Sequence, residues 1–562
     1  METGYLGQHA QRAEGKQVTG RTVRHALLLL ASLSPLAQAA PLIDDAESGL
    51  KVNWDNTVKY TAAARVGDRD SVLTGPINLN DGDNNFGRGL ISNRLDFFTE
   101  LDAVYRDVGA RVSAAGWYDS VYNRPNDNPG PPGAFVNHSS APYNEFTAAT
   151  RKLHGRNAEL MDAFLFGKLR LGGGDLAVRL GQHSLLWGES LFFAGNAIAG
   201  GQMPTNVARL VSVPNSQAKE FVLPVPQVSS QWQLSDDVSV GAYYQFRYRA
   251  NRLPAVGSYF SQSDTNFDGA ERLLLGPVAA APRGPDMDPK DSGQGGVQLR
   301  WRIADTDLGF YALRFHSKGF QQVTRLAPGA AGPVPASYYL THHEGIRAYG
   351  LSASHTFGQA NVAIEASVRH NQDLASAGAV DASALAPAGV VPANNNRGNP
   401  AYAVGRTAHA NVSMLWTLPH TPLFDEANLV AEGAWNRVLS CQTQCARIAP
   451  TATRDAVSFR LVLEPIYRQV VPGLDLGVPL GLGFTPKGSR SMALGPGGLP
   501  AENGGDVSIG VNGLFRSVWK FNLNYTHYFG PVGPFLNSSN TFSYKQGLAD
   551  RDVMVFTLTR TF

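Results

Sequence analysis

Long stretches of two-residue alternation constrain this chain more than any other feature. Between Val238 and Arg249 the even positions are Val238, Val240, Ala242, Tyr244, Phe246 and Tyr248. The odd positions are Ser239, Gly241, Tyr243, Gln245, Arg247 and Arg249. Successive side chains on a strand point to opposite faces, so one face of this segment suits lipid or a core and the other suits water. Leu90–Asp102 splits the same way, with Ile91, Leu95, Phe97 and Leu101 opposing Arg94, Asp96, Glu100 and Asp102. Val297, Leu299, Trp301 and Ile303 oppose Gln298, Arg300 and Arg302; Trp519, Phe521, Leu523 and Tyr525 oppose Lys520, Asn522, Asn524 and Thr526. The segments run to about 10–14 residues, whereas globular strands are nearer five or six and a tilted bilayer-crossing strand needs about 9–11. A membrane barrel is therefore favoured over a sandwich or propeller. No apolar run reaches the roughly 18 residues of a membrane helix. Aromatic residues, 10% of the chain, exclude bulk disorder, and a formal charge of +2 removes the simplest argument for nucleic-acid binding.

The connections alternate in length. Tight links fall at Arg106-Asp107, Gly172-Gly173-Gly174, Ser235-Asp236-Asp237, Ala304-Asp305-Thr306, Gly358-Gln359 and Arg516-Ser517. Long Pro-, Gly-, Asn- and Ser-rich linkers lie between them at 67–89, 123–158, 188–227, 251–293, 318–346, 372–404 and 485–504. Short periplasmic turns and long extracellular loops mark an outer-membrane barrel. Nineteen segments alternate, the weakest being Thr541–Gln546. Bacterial single-chain barrels have even strand numbers, so that segment is assigned to an outer loop, 530–551. The expectation is an all-β transmembrane antiparallel barrel of about 18 strands, with 16 or 20 as neighbours, ending in Asp552–Phe562. At the other end Arg21, Arg24 and His25 precede the apolar run Ala26–Ala31, and Ala37-Gln38-Ala39 follows. That is the pattern of a secretory signal peptide, so 1–39 are expected to be cleaved and 40–562 to form one barrel in the outer membrane of a Gram-negative bacterium.

Phe562, with Leu558 and Phe556 at alternate positions behind it, resembles the C-terminal strand signal of such barrels, with Arg560 standing where an apolar or aromatic residue is usual. More specifically, Trp54-Asp55-Asn56-Thr57-Val58, Arg179–His183 with Trp187-Gly188-Glu189-Ser190-Leu191-Phe192-Phe193, and Arg252-Leu253-Pro254-Ala255-Val256-Gly257-Ser258-Tyr259-Phe260 make the chain resemble the proteobacterial domain-of-unknown-function family 1302. The resemblance extends over nearly all of 40–562. It implies outer-membrane placement, often beside companion envelope proteins and exporter-type pumps, and no established activity. Expected partners are outer-membrane lipid and lipopolysaccharide, and the barrel-assembly machinery reading the strand that ends at Phe562; a companion envelope protein or exporter pump is a further candidate, and nucleic acid is not.

Catalytic constellations are weak. His183-Ser184 and His138-Ser139 place a base beside a nucleophile, but adjacent strand residues face opposite ways. His342-His343 lacks carboxylates or thiols at metal-ligand spacing, and Asp81-Gly82-Asp83-Asn84-Asn85 resembles half a calcium loop without its bidentate Glu. No catalytic residue, metal or cofactor is expected, and a barrel-embedded hydrolase ranks last. Cys441 and Cys445 are the only cysteines; after export they are expected to form a disulfide in an outer loop between strands ending near Leu439 and beginning near Ala456.

The inward face carries the functional expectation. Its candidates are Arg94, Glu100, Arg179, Arg247, Arg249, Arg300, Arg302 and Lys520, with Arg111, Arg369 and Arg460 among the other bases and Asp96, Asp102, Asp119, Glu365 and Glu464 among the acids. Basic residues lead modestly, which suits anionic or amphipathic solutes; a network of wall-to-wall ion pairs explains the same residues. The segment 188–227 is too apolar for a water-exposed loop. Folded inward, 190–222 would form a constriction with Phe192, Phe193, Arg209, Lys219 and Glu220, the charged three facing inward arginines. A helix is expected over Thr205–Val213, ended by Pro214. The leading expectation is an outer-membrane channel, for uptake or export; the alternative is a non-conducting envelope component or adhesin.

Overall fold

The computed structural model describes residues 42–562, apart from 46, 132–135, 214–217, 388–389, 489–500 and 540. The expected signal peptide lies outside the described residues. Eighteen antiparallel strands form one closed barrel. They are β1 Leu50–Arg65, β2 Gly89–Tyr105, β3 Val108–Asp119, β4 Arg156–Leu171, β5 Gly174–His183 and β6 Val225–Gln233. Next come β7 Val238–Gln245, β8 Gln294–Ile303, β9 Thr306–Phe315, β10 Ile346–Phe357, β11 Ala360–Asp373 and β12 Val404–Leu418. The last are β13 Glu426–Thr443, β14 Asp455–Val471, β15 in two pieces (Leu474–Gly477 and Leu480–Lys487), β16 Gly504–Phe515, β17 Trp519–Phe529 and β18 Val553–Thr561. Pro479 divides β15 because it has no N–H to donate; the ladder nonetheless passes through, with Val478 N bonding Pro465 O and Gly510 N bonding Pro479 O.

Closure is made by β18 on β1, in register from Thr57↔Thr561 to Arg65↔Val553. Asn56 and Phe562 add a reciprocal pair of backbone hydrogen bonds at 2.7 and 2.9 Å. Arg560, the departure from the terminal-strand pattern, lies under aromatic rings, its guanidinium 5.0 Å from Trp519 and 5.9 Å from Phe562. Tight turns join one end of the barrel. In the β4–β5 turn Gly172 and Gly173 take φ +58° and +84°, the left-handed pair that a two-residue hairpin of the right twist requires.

The wall inverts the usual core. Leu95, Phe97, Leu165, Leu299, Trp301 and Ile509 are exposed on the outside, a surface that only a hydrocarbon layer would cover without cost. Arg94, Asp96, Glu365, Asn411 and Glu432 are buried on the inside. Compact apolar packing is found at the long-loop end, where Phe86, Tyr122, Phe146 and Tyr259 cluster and Arg551 joins Asp83 at 3.0 Å and the carbonyls of Tyr259 and Ser261, and where Trp187 and Ile198 meet Tyr243, Tyr311 and Leu313 of the wall.

Several expectations are corrected. The Val238–Arg249 alternation outruns its strand: β7 stops at Gln245 because Pro224 and Pro226 at the start of β6 offer no N–H to extend the ladder. Ile91 is the bulged residue of β2, skipped between Ala63↔Ser92 and Ala64↔Leu90, and it joins the loop core rather than the outer face. The linker 318–346 contains a hairpin, Gln321–Gly329 with Gly332–Thr341, whose Pro333 and Pro335 disguise the alternation. β13 runs to Thr443 rather than to Leu439, so the Cys441–Cys445 disulfide staples a strand end. Residues 541–546 belong to a loop, as parity requires.

The protein is expected to fractionate with the outer membrane and to show heat-modifiable gel mobility; recovery as a soluble periplasmic protein would contradict the barrel. Replacing both cysteines by Ser should remove about 2 kcal/mol or less of loop-closure stabilisation, confined to the β13 tip, and leave the barrel melting temperature within a few degrees.

Candidate functional site

The loop 184–224 leaves the wall after β5, and its described residues contact strands on two sides of the barrel. His183 ends that strand, with Nε2 2.7 Å from Ser229 Oγ and Nδ1 on the Gly181 carbonyl. This His–Ser pair is buried and its third partner is a carbonyl rather than an acid, so it lacks what a nucleophilic dyad needs. Trp187 then packs edge-on against Tyr243 at 5.0 Å, and its backbone N–H donates to Gln202 Oε1 at 2.7 Å. Gly188 has φ +98°, and a Cβ there would stand 2.2 Å from Glu365 Oε2; glycine is required on both counts.

Two buried carboxylates hold the loop from Glu189 to Ile198. Glu365 on β11 accepts from the backbone N–H of Glu189 at 2.7 Å and from that of Ile198. Glu432 on β13 accepts from Leu191 and Phe193 N–H at 3.0 Å each, from Phe192 N–H, and from Ser190 Oγ at 2.8 Å. Consecutive backbone N–H groups around one anion form a nest, and hydrogen bonds to a charged acceptor are about twice as strong as neutral ones. Arg369 returns the favour to the backbone, donating to the carbonyls of Gly195, Asn196 and Ala197. Asn196 Nδ2 reaches Asn411 Oδ1 on β12 at 2.7 Å.

The second half grips the other side. A short helix spans Val207–Ser212, capped by Asn206, whose side chain accepts from Arg209 N. Arg209 pairs with Asp96 of β2 at 2.9 Å and with Glu220 at 2.7 Å. Glu220 also pairs with Lys59 of β1 at 3.0 Å, and Asp96 with Arg94 at 2.8 Å. Lys219 lies 3.5 Å from Glu100 and 5.0 Å from the Phe98 ring. From β2 to β11 is nine steps around an 18-strand ring, so the two grips are on opposite walls and the loop spans the lumen between them.

Beside this loop, toward the tight-turn end, lies a cavity of about 510 Å³. Lys59, Lys219, Lys520 and Arg468, with Glu220, Glu464 and Asp475, supply its charge, and Phe98 and Ile466 its apolar surface. Lys520 has no ion-pair partner among the described residues. Arg468 is neutralised by Glu426 and by Asp475 at 2.9 Å, and Glu464 accepts from Asn512 at 2.6 Å.

The structure separates the sequence candidates. Arg94, Glu100, Arg179, Arg300 and Lys520 face the lumen; Arg300 lies 3.4 Å from Glu189 of the crossing loop. Arg302 is instead at the exposed β8–β9 turn, paired with Asp307 at 3.0 Å. Arg247 and Arg249 have left the wall for the loop 246–293, where Arg249 donates to the Pro224 carbonyl. Phe193 is buried, and Phe192 lies 5.8 Å beneath the Arg460 guanidinium. Arg209 and Lys219 face acids, not arginines, because the wall beneath them is acidic; Glu220 faces Lys59 and Arg209. The helix is two residues shorter at its start than expected, and Pro214 lies outside the described residues. Glu432, Asn411, Asn196 and Lys59 are not among the sequence candidates. The available signal is slight: Glu432 stands on a lumen-facing row between the neutral Val430 and Ala434, and nothing in that row points to its partners.

A family described as "Protein of unknown function (DUF1302)" matches residues 21–562. No curated protein matches the chain. Among solved structures the chain is similar to OccAB4 of Acinetobacter baumannii, at 9% identity and TM-score 0.40, over 91% of this chain and 98% of that one. It is also similar to the outer membrane channel DcaP of Acinetobacter baumannii, at 10% identity and TM-score 0.36, over 92% and 99%. OpdK of Pseudomonas aeruginosa, solved with vanillate, is similar at 11% identity and TM-score 0.38, over 91% and 98%.

Glu432→Ala should strip the acceptor from three loop N–H groups and loosen 190–198 without unfolding the wall. In detergent the loop should become cleavable by trypsin at Arg209 while heat-modifiable mobility is kept; a variant as resistant as the parent would contradict the anchoring role.

Proposed function

The chain belongs to the DUF1302 family, and we propose that it is an outer-membrane channel for small anionic or amphipathic solutes, with the loop 184–224 as its constriction. The observation that carries this reading is the loop's double anchorage. Its backbone is held by Glu365 and Glu432 on one wall and its charged side chains by Lys59, Asp96 and Glu100 on the other. Such a span narrows a lumen that an 18-strand wall would otherwise leave wide enough for water.

The cavity beside the loop supports the solute class. Its volume, about 510 Å³, is in the range of small-molecule sites. Lys520 offers a positive charge without an ion-pair partner among the described residues, and Lys219 a second that Glu100 holds only loosely at 3.5 Å. Phe98 and Ile466 provide an apolar flank. A solute with an anionic head and an apolar body meets both. Weak, multiple contacts of this kind are what conduction needs, since a solute bound tightly at one point does not leave. In the proposed setting, lipid and lipopolysaccharide cover the outer apolar band, and the Phe562 strand is what the barrel-assembly machinery reads.

Deleting 195–215 should raise single-channel conductance in planar bilayers several-fold. Lys520→Glu should shift the reversal potential in a salt gradient toward cations. Unchanged conductance from a correctly inserted deletion variant, or a wild-type barrel that does not conduct, would overturn the reading.

A further inference from the structure

Outside the lumen, at the long-loop end, three residues from three different loops converge. Asp81 comes from the loop 66–88, His138 from 120–155 and Asp264 from 246–293. One donor atom from each lies within 4.8 Å of the other two. In the sequence Asp81 reads as part of a polar turn and His138 as the neighbour of a serine; only the fold brings them together, with an aspartate more than 120 residues away from His138.

The cluster is rigidly built. Asp81 opens a short helix, Asp81–Asn84, whose Gly82 is seated so closely on the loop 246–293 that a Cβ would lie 2.3 Å from the Ser261 carbonyl. Asn128 donates to Asp81 Oδ1 at 3.2 Å and Asn85 Oδ1 at 3.0 Å. Asp264 is fully buried, and its Oδ2 accepts from the backbone N–H of Asn80 at 2.8 Å and of Asp81 at 3.3 Å.

One polar atom of the cluster is left over: Asp264 Oδ1 is buried with no hydrogen-bond partner among the described residues, and His138, 3% exposed, brings a ring nitrogen within 4.8 Å of both aspartates. His138 Nδ1 pairs with Asp81 Oδ2 at 3.3 Å. A buried carboxylate oxygen without a partner is costly, and two aspartates side by side ask for positive charge.

We propose that Asp81, His138 and Asp264 form a binding site for a divalent transition-metal ion of the zinc class. One imidazole nitrogen and two carboxylate oxygens are a borderline donor set: the imidazole suits zinc and its neighbours, whereas calcium prefers oxygen alone. Zinc bonds such donors at about 2.0–2.2 Å, so the side chains need to close by about 1 Å around the ion. The ion's role is structural. It pins three loops at one point and fixes the segment 255–264, whose Ala255, Ser258, Tyr259 and Ser261 are buried in the mouth of the barrel. The inference does not depend on the channel reading.

The test uses the full-length barrel in detergent, stripped with chelator, and zinc chloride alone as the probe. Calorimetry should show one zinc per chain, and hydrogen exchange should slow on zinc addition in 78–84 and 255–266. Asp264→Asn, nearly isosteric, and His138→Gln should each weaken zinc binding at least about tenfold while heat-modifiable mobility is kept. No zinc binding by the folded parent would overturn the site and leave the His138 imidazolium as the charge between the two aspartates. Binding undiminished in both variants would overturn it too, placing the ion elsewhere, for instance at His342 and His343.

Discussion

Closure of the hydrogen-bond ladder is the constraint on which the rest of the structure depends. Once β18 pairs with β1 and Phe562 exchanges hydrogen bonds with Asn56, no wall strand has a free edge and every wall residue faces either outward or inward. The outward set has no polar partners available and is apolar. The inward set is free to carry charge, and it does so at Lys59, Arg94, Asp96, Glu100, Glu365, Arg369 and Glu432. Seven buried charges inside a wall are stable only if each is met by an opposite charge or by dipoles.

The crossing loop is what meets them. Glu432 and Glu365 have little cationic compensation in direct contact; backbone N–H groups of 189–198 take that place. Arg369 receives carbonyls of the same segment. On the opposite side Arg209 and Glu220 complete a chain of alternating charge from Lys59 to Arg94. Loop and wall are thus mutually required. Removing either partner leaves buried charge uncompensated, at about 3–5 kcal/mol for a broken buried pair, a far larger penalty than the loop's own conformational preferences can offset.

The barrel is largely legible because its period is a physical one: alternation, strand length and the two classes of connection all read directly from the residues. That the segment 188–227 is unsuited to solvent is legible from Leu191, Phe192, Phe193 and Ile198. The hidden features depend on partners far apart in sequence. Glu432 gives no local sign that it will hold backbone N–H groups some 240 residues earlier. The partners of Arg209 and Lys219 have the opposite sign to the one expected, because the acidic patch beneath them belongs to β2, where Arg94 is the more conspicuous residue. Arg247 and Arg249 keep the alternation of β7 after the ladder has ended, since prolines on a neighbouring strand, not on their own, set its limit. The Asp81–His138–Asp264 convergence is of the same kind, with one residue per loop and no spacing to read.

The central claim is that the loop 184–224 stands across the lumen in the path of solute. The most direct measurement is single-channel recording on Lys219→Cys in a planar bilayer, before and after a charged methanethiosulfonate reagent, the two native cysteines being joined to each other. A loop in the conducting path predicts a discrete, irreversible drop in conductance as each channel is labelled. Complete labelling, verified by mass, with conductance unchanged would contradict it.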